Sequence, residues 1–296
     1  MAQTIYIVFH IYKTAGQSLR SNFEKNFRDD EWLPMYAYPI GLDKAMSPAN
    51  PGWDAERVYD YVAKRATSRT RCIFGHMAYF GVHNLVDSDV DPLYITFLRD
   101  PVERIISFYY HLRNQSPNVW GGEIVERNWS IEEWLDKSRL LAKCNGQLRQ
   151  LLLGTYDEVL TERELTREHL EEGKRRLREF WYVGLTETFR EDSHYLYGKL
   201  GFSRFHPQAV VNPTPDKKEV SPKTREYIAE RNALDIELYQ FAKKLRAEFI
   251  NHNAFDYHFN KNKAIIMKSA YFSVIAPAYR TRRLLRGWIR RRMSLS

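Results

Sequence analysis

The stretch from Thr4 to Phe27 constrains this chain more than any other. Ile5-Tyr6-Ile7-Val8-Phe9 is β-branched and aromatic without a break, the composition of a buried strand, so Thr4 to Ile11 reads as one. A turn of small and polar residues follows, Lys13-Thr14-Ala15-Gly16-Gln17-Ser18. From Ser18 to Phe27 the apolar residues Leu19, Phe23 and Phe27 recur every four positions, one face of a helix. A strand that feeds a helix through a tight turn leaves backbone N–H groups and the positive end of the helix at one point, where a phosphate binds.

The same layout recurs. Leu93 to Leu98 reads as a strand, and Asp100-Pro101 supplies an N-cap with proline at the first position of a helix expected to reach about Arg113. Arg71 to Phe74 and Trp181 to Leu185 are short buried-strand patterns, the second preceded by a charged helical stretch from Arg167 to Phe180. Alternating strands and helices imply an α/β protein with a central parallel sheet flanked by helices. Pro34 to Asp54, rich in Pro, Gly and Asp, is expected to be a surface excursion. Leu140 to Leu153 reads as a helix that contains Gly146, and two more helices, Pro222 to Arg231 and Ala233 to Ile250, close the body.

With 296 residues, 44% of them hydrophobic, the chain can bury one sizeable core. Its net charge of +8 is confined to one end. Residues 261–296 hold ten Lys or Arg and no acid; removing those ten from the 45 basic residues leaves 35 against 37 acidic ones. We therefore divide the chain into a near-neutral body, 1–256, and a basic amphipathic C-terminal extension, 257–296. Ile265, Ile266, Tyr271, Phe272 and Trp288 are interleaved with the extension's charges. It could contact an anionic membrane surface peripherally, or be an ordinary solvated terminus. No nucleic-acid reading module accompanies the charge, so no nucleic-acid partner is expected. Two cysteines, Cys72 and Cys144, form neither a disulfide framework nor a metal site, and the N-terminal apolar run is too short for a span or signal core. The expectation is a cytoplasmic protein, with the tail at most peripheral at the inner face of the membrane, and no metal.

The Lys13 to Ser18 turn is not a Walker A loop, because GxxxxGK[ST] is absent and the lysine precedes the small residues. Lys13 offers a mobile positive charge, Thr14 and Ser18 hydroxyl donors, and Gly16 a close backbone approach. Arg99 stands at a strand's C-terminal end, where open parallel sheets place ligands. Ser107 lies about two turns into the following helix. Each has a bland alternative: a solvated lysine beside a cap, an arginine paired with a buried carboxylate, a packing serine. A small-molecule P-loop kinase shares this layout, and so does a non-catalytic glycan-binding protein on the same fold.

Taken together, His10-Ile11-Tyr12-Lys13-Thr14-Ala15-Gly16-Gln17-Ser18 and Phe97 to His111 resemble the 5′-phosphosulfate loop and the 3′-phosphate motif of membrane-type carbohydrate sulfotransferases, the heparan sulfate 2-O-sulfotransferases included. Tyr12 stands where that family usually has proline. Phe74-Gly75-His76, Asn145 to Leu151 and Val183 to Glu187 are weaker matches in the same order, and Asn212-Pro213-Thr214 falls where such enzymes have a loop over the nucleotide. The resemblance implies a P-loop-NTPase-like fold for a sulfotransferase domain at 1–256. It implies 3′-phosphoadenosine-5′-phosphosulfate (PAPS) as co-substrate and a carbohydrate acceptor. Lys13, Thr14, Ala15, Gly16, Gln17, Ser18, Arg99 and Ser107 then bind the donor, Lys13 also supports the transfer, and His76 is the catalytic base. His10, His83 and His111 are second choices for that role.

Overall fold

The computed structural model describes residues 2–36, 55–86, 89–114, 122–138, 140–154, 164–207 and 219–276. Asn212-Pro213-Thr214, most of the Pro34 to Asp54 excursion and the end of the basic extension, 277–296, lie outside them. Among the described residues five parallel strands form one sheet: β1 (Gln3–Phe9), β2 (Trp32–Pro34), β3 (Cys72–Gly75), β4 (Val90–Leu98) and β5 (Tyr182–Leu185), in the order β2-β3-β1-β4-β5. The central parallel sheet of an α/β protein, expected from the alternating pattern, is therefore present.

Along β1 the side chains alternate between two buried faces. Ile5, Ile7 and Phe9 enter one apolar cluster, and Val8 enters another with Phe74, Ile95 and Phe97. Helices cover both faces, so every second position cannot be polar, and the strands read as continuous apolar runs. In chain order the helices are α1 (Gly16–Asn26), α2 (Ala55–Arg65), α3 (Pro101–Arg113), α4 (Gly122–Glu126), α5 (Ile131–Lys137), α6 (Gly146–Leu151), α7 (Arg167–Glu179), α8 (Phe189–Lys199), α9 (Pro222–Arg231), α10 (Ala233–His252) and α11 (Ala254–Ala270). The first face is covered by residues of α2, α6, α7 and α10, the second by α1, α8 and α11. A third cluster joins α3, α4, α5 and α9 around Phe108 and Trp134.

The expected cap of α3 is present: the Asp100 carboxylate accepts from the Glu103 N–H at 3.0 Å, with Pro101 at the first helical position. The strand expected from Leu93 begins earlier, at Val90, and includes Pro92. Pro92 pairs with Ile5 in the part of β4 that extends beyond β5, where an edge tolerates a missing N–H. The helix expected across Gly146 is broken into a 3-10 turn, Leu141–Lys143, and α6, with Asn145 between them at φ 49°. Helix α11 passes residue 256 without interruption and buries Tyr257, Asn260 and Ala264. Tyr257 stacks on Tyr195 of α8 at 4.9 Å, so the first part of the extension packs on the body.

Candidate functional site

Register sets the site. Phe9 of β1 is level with Gly75 of β3 and with Thr96 of β4. The residues that leave those strands, His10, His76 and Arg99, therefore emerge together at the sheet's C-terminal edge. The chain turns to opposite sides of β1 on its way to β3 and β4, and such a switch point opens a crevice for a ligand.

In the turn after β1 the backbone is left-handed at Lys13 (φ 66°) and Ala15 (φ 64°). Neither is glycine, and an L-residue in that region costs about 1–2 kcal/mol. Strain of this kind concentrates at ligand sites. Gly16 is instead the first residue of α1. A Cβ there would lie 1.8 Å from Cδ2 of the His10 ring, so the missing side chain makes room for that imidazole. Thr14 Oγ1 donates to the Ile11 carbonyl at 2.9 Å and braces the turn from within. Ser18 is buried, and its N–H donates to the Ala15 carbonyl at 3.0 Å. Gln17 is exposed.

Lys13 and Arg99 meet: a guanidinium N–H of Arg99 donates to the Lys13 carbonyl at 3.2 Å. Burial, and then the charge of Arg99, push the Lys13 ammonium down to about 8. Burial likewise lowers Arg99. The acids near Arg99 are engaged elsewhere. Asp100 caps α3, Glu103 pairs with Arg225 at 2.9 Å, and Glu187 accepts from the Asp100 N–H at 3.0 Å and from the Tyr239 hydroxyl at 2.9 Å. Two partly desolvated cations held side by side favour an anion between them. Ser107 is buried on α3. One turn further on, burial and then Lys13 push His111 down to about 4, so that side of α3 faces the turn.

His76 is stacked on Tyr12, with centroids 3.8 Å apart and planes at 13°, and lies 4.0 Å from His10. Its Nδ1 bonds the His10 carbonyl. A carbonyl can only accept, so Nδ1 carries the proton and Nε2 keeps its lone pair. Burial pushes His76 down to about 3, which keeps the imidazole neutral near pH 7. Of the three second choices, His111 lies on α3 and the other two are occupied differently. His10 is buried and its Nδ1 lies 3.0 Å from the Tyr36 hydroxyl, while His83 meets the Tyr94 hydroxyl at 2.7 Å. Among the described residues, no group of three or more His, Cys, Asp or Glu is placed to hold a metal.

Two glutamines inside the weakly matching Asn145 to Leu151 segment, neither of them a predicted site residue, complete the site. Gln147 accepts from the Arg99 N–H and donates to the Arg99 carbonyl, both at 2.9 Å. Gln150 donates to the His10 carbonyl at 2.8 Å and the His76 carbonyl at 3.1 Å, and accepts from the Tyr12 N–H at 3.4 Å.

Residues 6–242 match the model of a family described as the sulfotransferase family. The chain belongs to the sulfotransferase family. It is 31% identical over 279 residues to heparan-sulfate 6-O-sulfotransferase 2 of Danio rerio, covering 81% of this chain and 58% of that protein. Heparan-sulfate 6-O-sulfotransferase 2 of Gallus gallus is 30% identical over 181 residues (51% and 43% of the two chains). Heparan-sulfate 6-O-sulfotransferase 3 of Mus musculus is 25% identical over 286 residues (84% and 58%). The chain thus spans about half the length of these relatives. The carbohydrate-sulfotransferase resemblance drawn from the two motifs holds at the level of the family, while these relatives bear the 6-O name and lend the 2-O branch no support.

The cytoplasmic expectation is corrected. Heparan-sulfate sulfotransferases, as these relatives are named, are Golgi lumenal enzymes, and sparse cysteines with a short apolar run do not assign a compartment. The inner-face membrane contact falls with it. Among the described residues, no helix is long and apolar enough to cross a membrane.

Proposed function

We propose that this sulfotransferase-family chain moves the sulfuryl group of PAPS to a carbohydrate hydroxyl, with a heparan-sulfate-like polysaccharide as the first acceptor to test and its 6-hydroxyl as the first position. The observation that carries this reading is the joining of Lys13 and Arg99 at the N-terminus of α1, where a donor with phosphates at both ends of its ribose finds two cations. On this reading Lys13 and the amides of the turn face the 5′-phosphosulfate, and Arg99 with Ser107 the 3′-phosphate. The acceptor hydroxyl attacks sulfur in line. Its proton passes to His76 Nε2, and the bond from sulfur to the phosphate oxygen breaks, leaving adenosine 3′,5′-bisphosphate. Charge that builds on the leaving oxygen is met by Lys13, an electrostatic contribution worth about 3 kcal/mol per donor. The His10 carbonyl fixes the His76 tautomer and so aims its lone pair. The family match counts against phosphotransfer from ATP.

Incubation with radiolabelled PAPS and heparan sulfate, with phenols and simple sugars as comparison acceptors, is the direct test. Sulfated polysaccharide is expected, with label at the 6-hydroxyl. Label confined to phenols, or none anywhere, would sink the proposal.

The pH dependence carries a sign for each group. Donor anions bind the protonated Lys13, so affinity for adenosine 3′,5′-bisphosphate should be full below pH 8 and fall as the pH rises through about 8. His76 must be neutral to accept a proton, and its protonation waits until about 3. The profile of kcat/KM, which reports the free enzyme, should then show no acid limb at the ordinary imidazole value of 6.5. Calorimetry and initial rates across this range check both. Constant affinity up to the usual lysine range, or a rate halved at 6.5, would contradict the assignments.

A further inference from the structure

The short helix α6 carries two fully polar side chains into the interior. Gln147 is 0% exposed and Gln150 5%. They are three residues apart, hence on one face of the helix. Buried amides are expensive unless their hydrogen bonds are made, and these are spent almost wholly on loop backbone. Gln147 closes a two-bond ring with the N–H and C=O of Arg99. Gln150 reaches three backbone groups on two loops, at His10, Tyr12 and His76. The His10 carbonyl that it holds is the acceptor of the His76 Nδ1 proton.

The helix itself is anchored from behind. The buried Asp235 of α10 accepts from the N–H groups of Gln147 and Leu148 at 3.0 and 2.9 Å, and Asn145 exchanges bonds with Asn232 and Asp235 at 2.8 and 3.0 Å. The two amides therefore project from a fixed base toward opposite halves of the site.

We infer that Gln147 and Gln150 are positioning residues with separate tasks: Gln147 sets Arg99 for donor binding, and Gln150 sets the His10–Tyr12 loop and His76 for transfer. The inference rests on the sulfotransferase reading of the site. Neither side chain touches a reacting atom. Each acts through the backbone of a residue assigned to the donor or to the transfer, and displacing such a residue by an ångström costs affinity or rate steeply.

Gln147→Met and Gln150→Met keep the length of the side chain and remove the amide. Gln147→Met should weaken adenosine 3′,5′-bisphosphate binding about tenfold, the loss of a hydrogen bond that orients a charged group, with kcat changed less. Gln150→Met should leave that affinity within about twofold and lower kcat about tenfold or more. If methionine prevents folding at either position, asparagine, one methylene shorter, keeps the buried amide but withdraws its reach, and the same division is expected. A purely structural role would not separate the two parameters. Equal losses of affinity and kcat in both variants, or no loss in either, overturn the inference. Wild-type protein that binds no adenosine 3′,5′-bisphosphate and transfers no sulfuryl group from PAPS to any acceptor would overturn the sulfotransferase reading along with it. Wild-type activity with undivided variants would remove the glutamine assignment alone.

Discussion

Alanine at Lys13 or at Arg99 is expected to remove calorimetrically detectable binding of adenosine 3′,5′-bisphosphate. It should also lower sulfuryl transfer about a hundred- to a thousandfold, the range for losing one preorganised electrostatic donor. The two variants differ in how they fail. Lys13 faces the bond that breaks, so Lys13→Ala should lower kcat as well as donor affinity. Arg99 grips the far end of the nucleotide, so Arg99→Ala should act mainly on the donor KM. Lys13→Arg should not restore the rate, because a planar fork cannot replace a compact ammonium in a turn this tight. Undiminished binding in both alanine variants would mean that the donor sits elsewhere. Both side chains are partly exposed and the Lys13 ammonium is destabilised by its surroundings, so neither alanine should cost much stability. Thermal unfolding of each variant confirms that a lost activity is a lost site.

What the sequence made legible follows from how local each signal is. The β1 run, the Asp100-Pro101 cap and the Lys13 turn are written in contiguous residues, and each was found within a residue or two of its place. Strand β2 was missed. It is three residues long, ends in Pro34, and exists because Trp32 to Pro34 pair with β3. No local pattern encodes a partner 40 residues away. The boundary at 256 follows composition, whereas helix α11 runs across that residue because Tyr257 and Ala264 find α8 and its neighbours. Within the site, the sequence reading assigns Gly16 a close backbone approach to the ligand; the left-handed positions are Lys13 and Ala15, and Gly16 makes room for His10. Gln147 and Gln150 were the hardest to see. In sequence they are polar residues in an apolar pattern, and only the fold shows that Arg99, His10, Tyr12 and His76 present backbone groups to them.

The same α6 base makes Asp235 the position where stability and function should fail together. Its carboxylate is 0% exposed and lies 3.7 Å from the Arg104 guanidinium, itself 1% exposed. Burial pushes the Asp235 carboxyl up while Arg104 opposes the shift. Among the described residues the Arg104 guanidinium donates to the Ala142 carbonyl at 3.1 Å, and its Nε has no partner. Asp235→Ala would thus leave a buried cation without its counter-charge and two N–H groups of α6 without an acceptor. A loss of about 3–5 kcal/mol in urea unfolding is expected, the usual consequence of breaking a buried pair from one side. Asp235→Asn keeps a carbonyl oxygen for one N–H but not the charge, and should fall between. If the cost is that of an unpaired charge, Arg104→Met combined with Asp235→Leu should recover much of it, because an apolar pair of similar volume needs no compensation. The double variant should nevertheless remain impaired in donor binding. It restores burial but not the acceptor that fixes Gln147, and through Gln147 the backbone of Arg99. Recovery of stability without recovery of donor affinity would separate the two duties of Asp235. Recovery of both would show that α6 needs only an apolar seat.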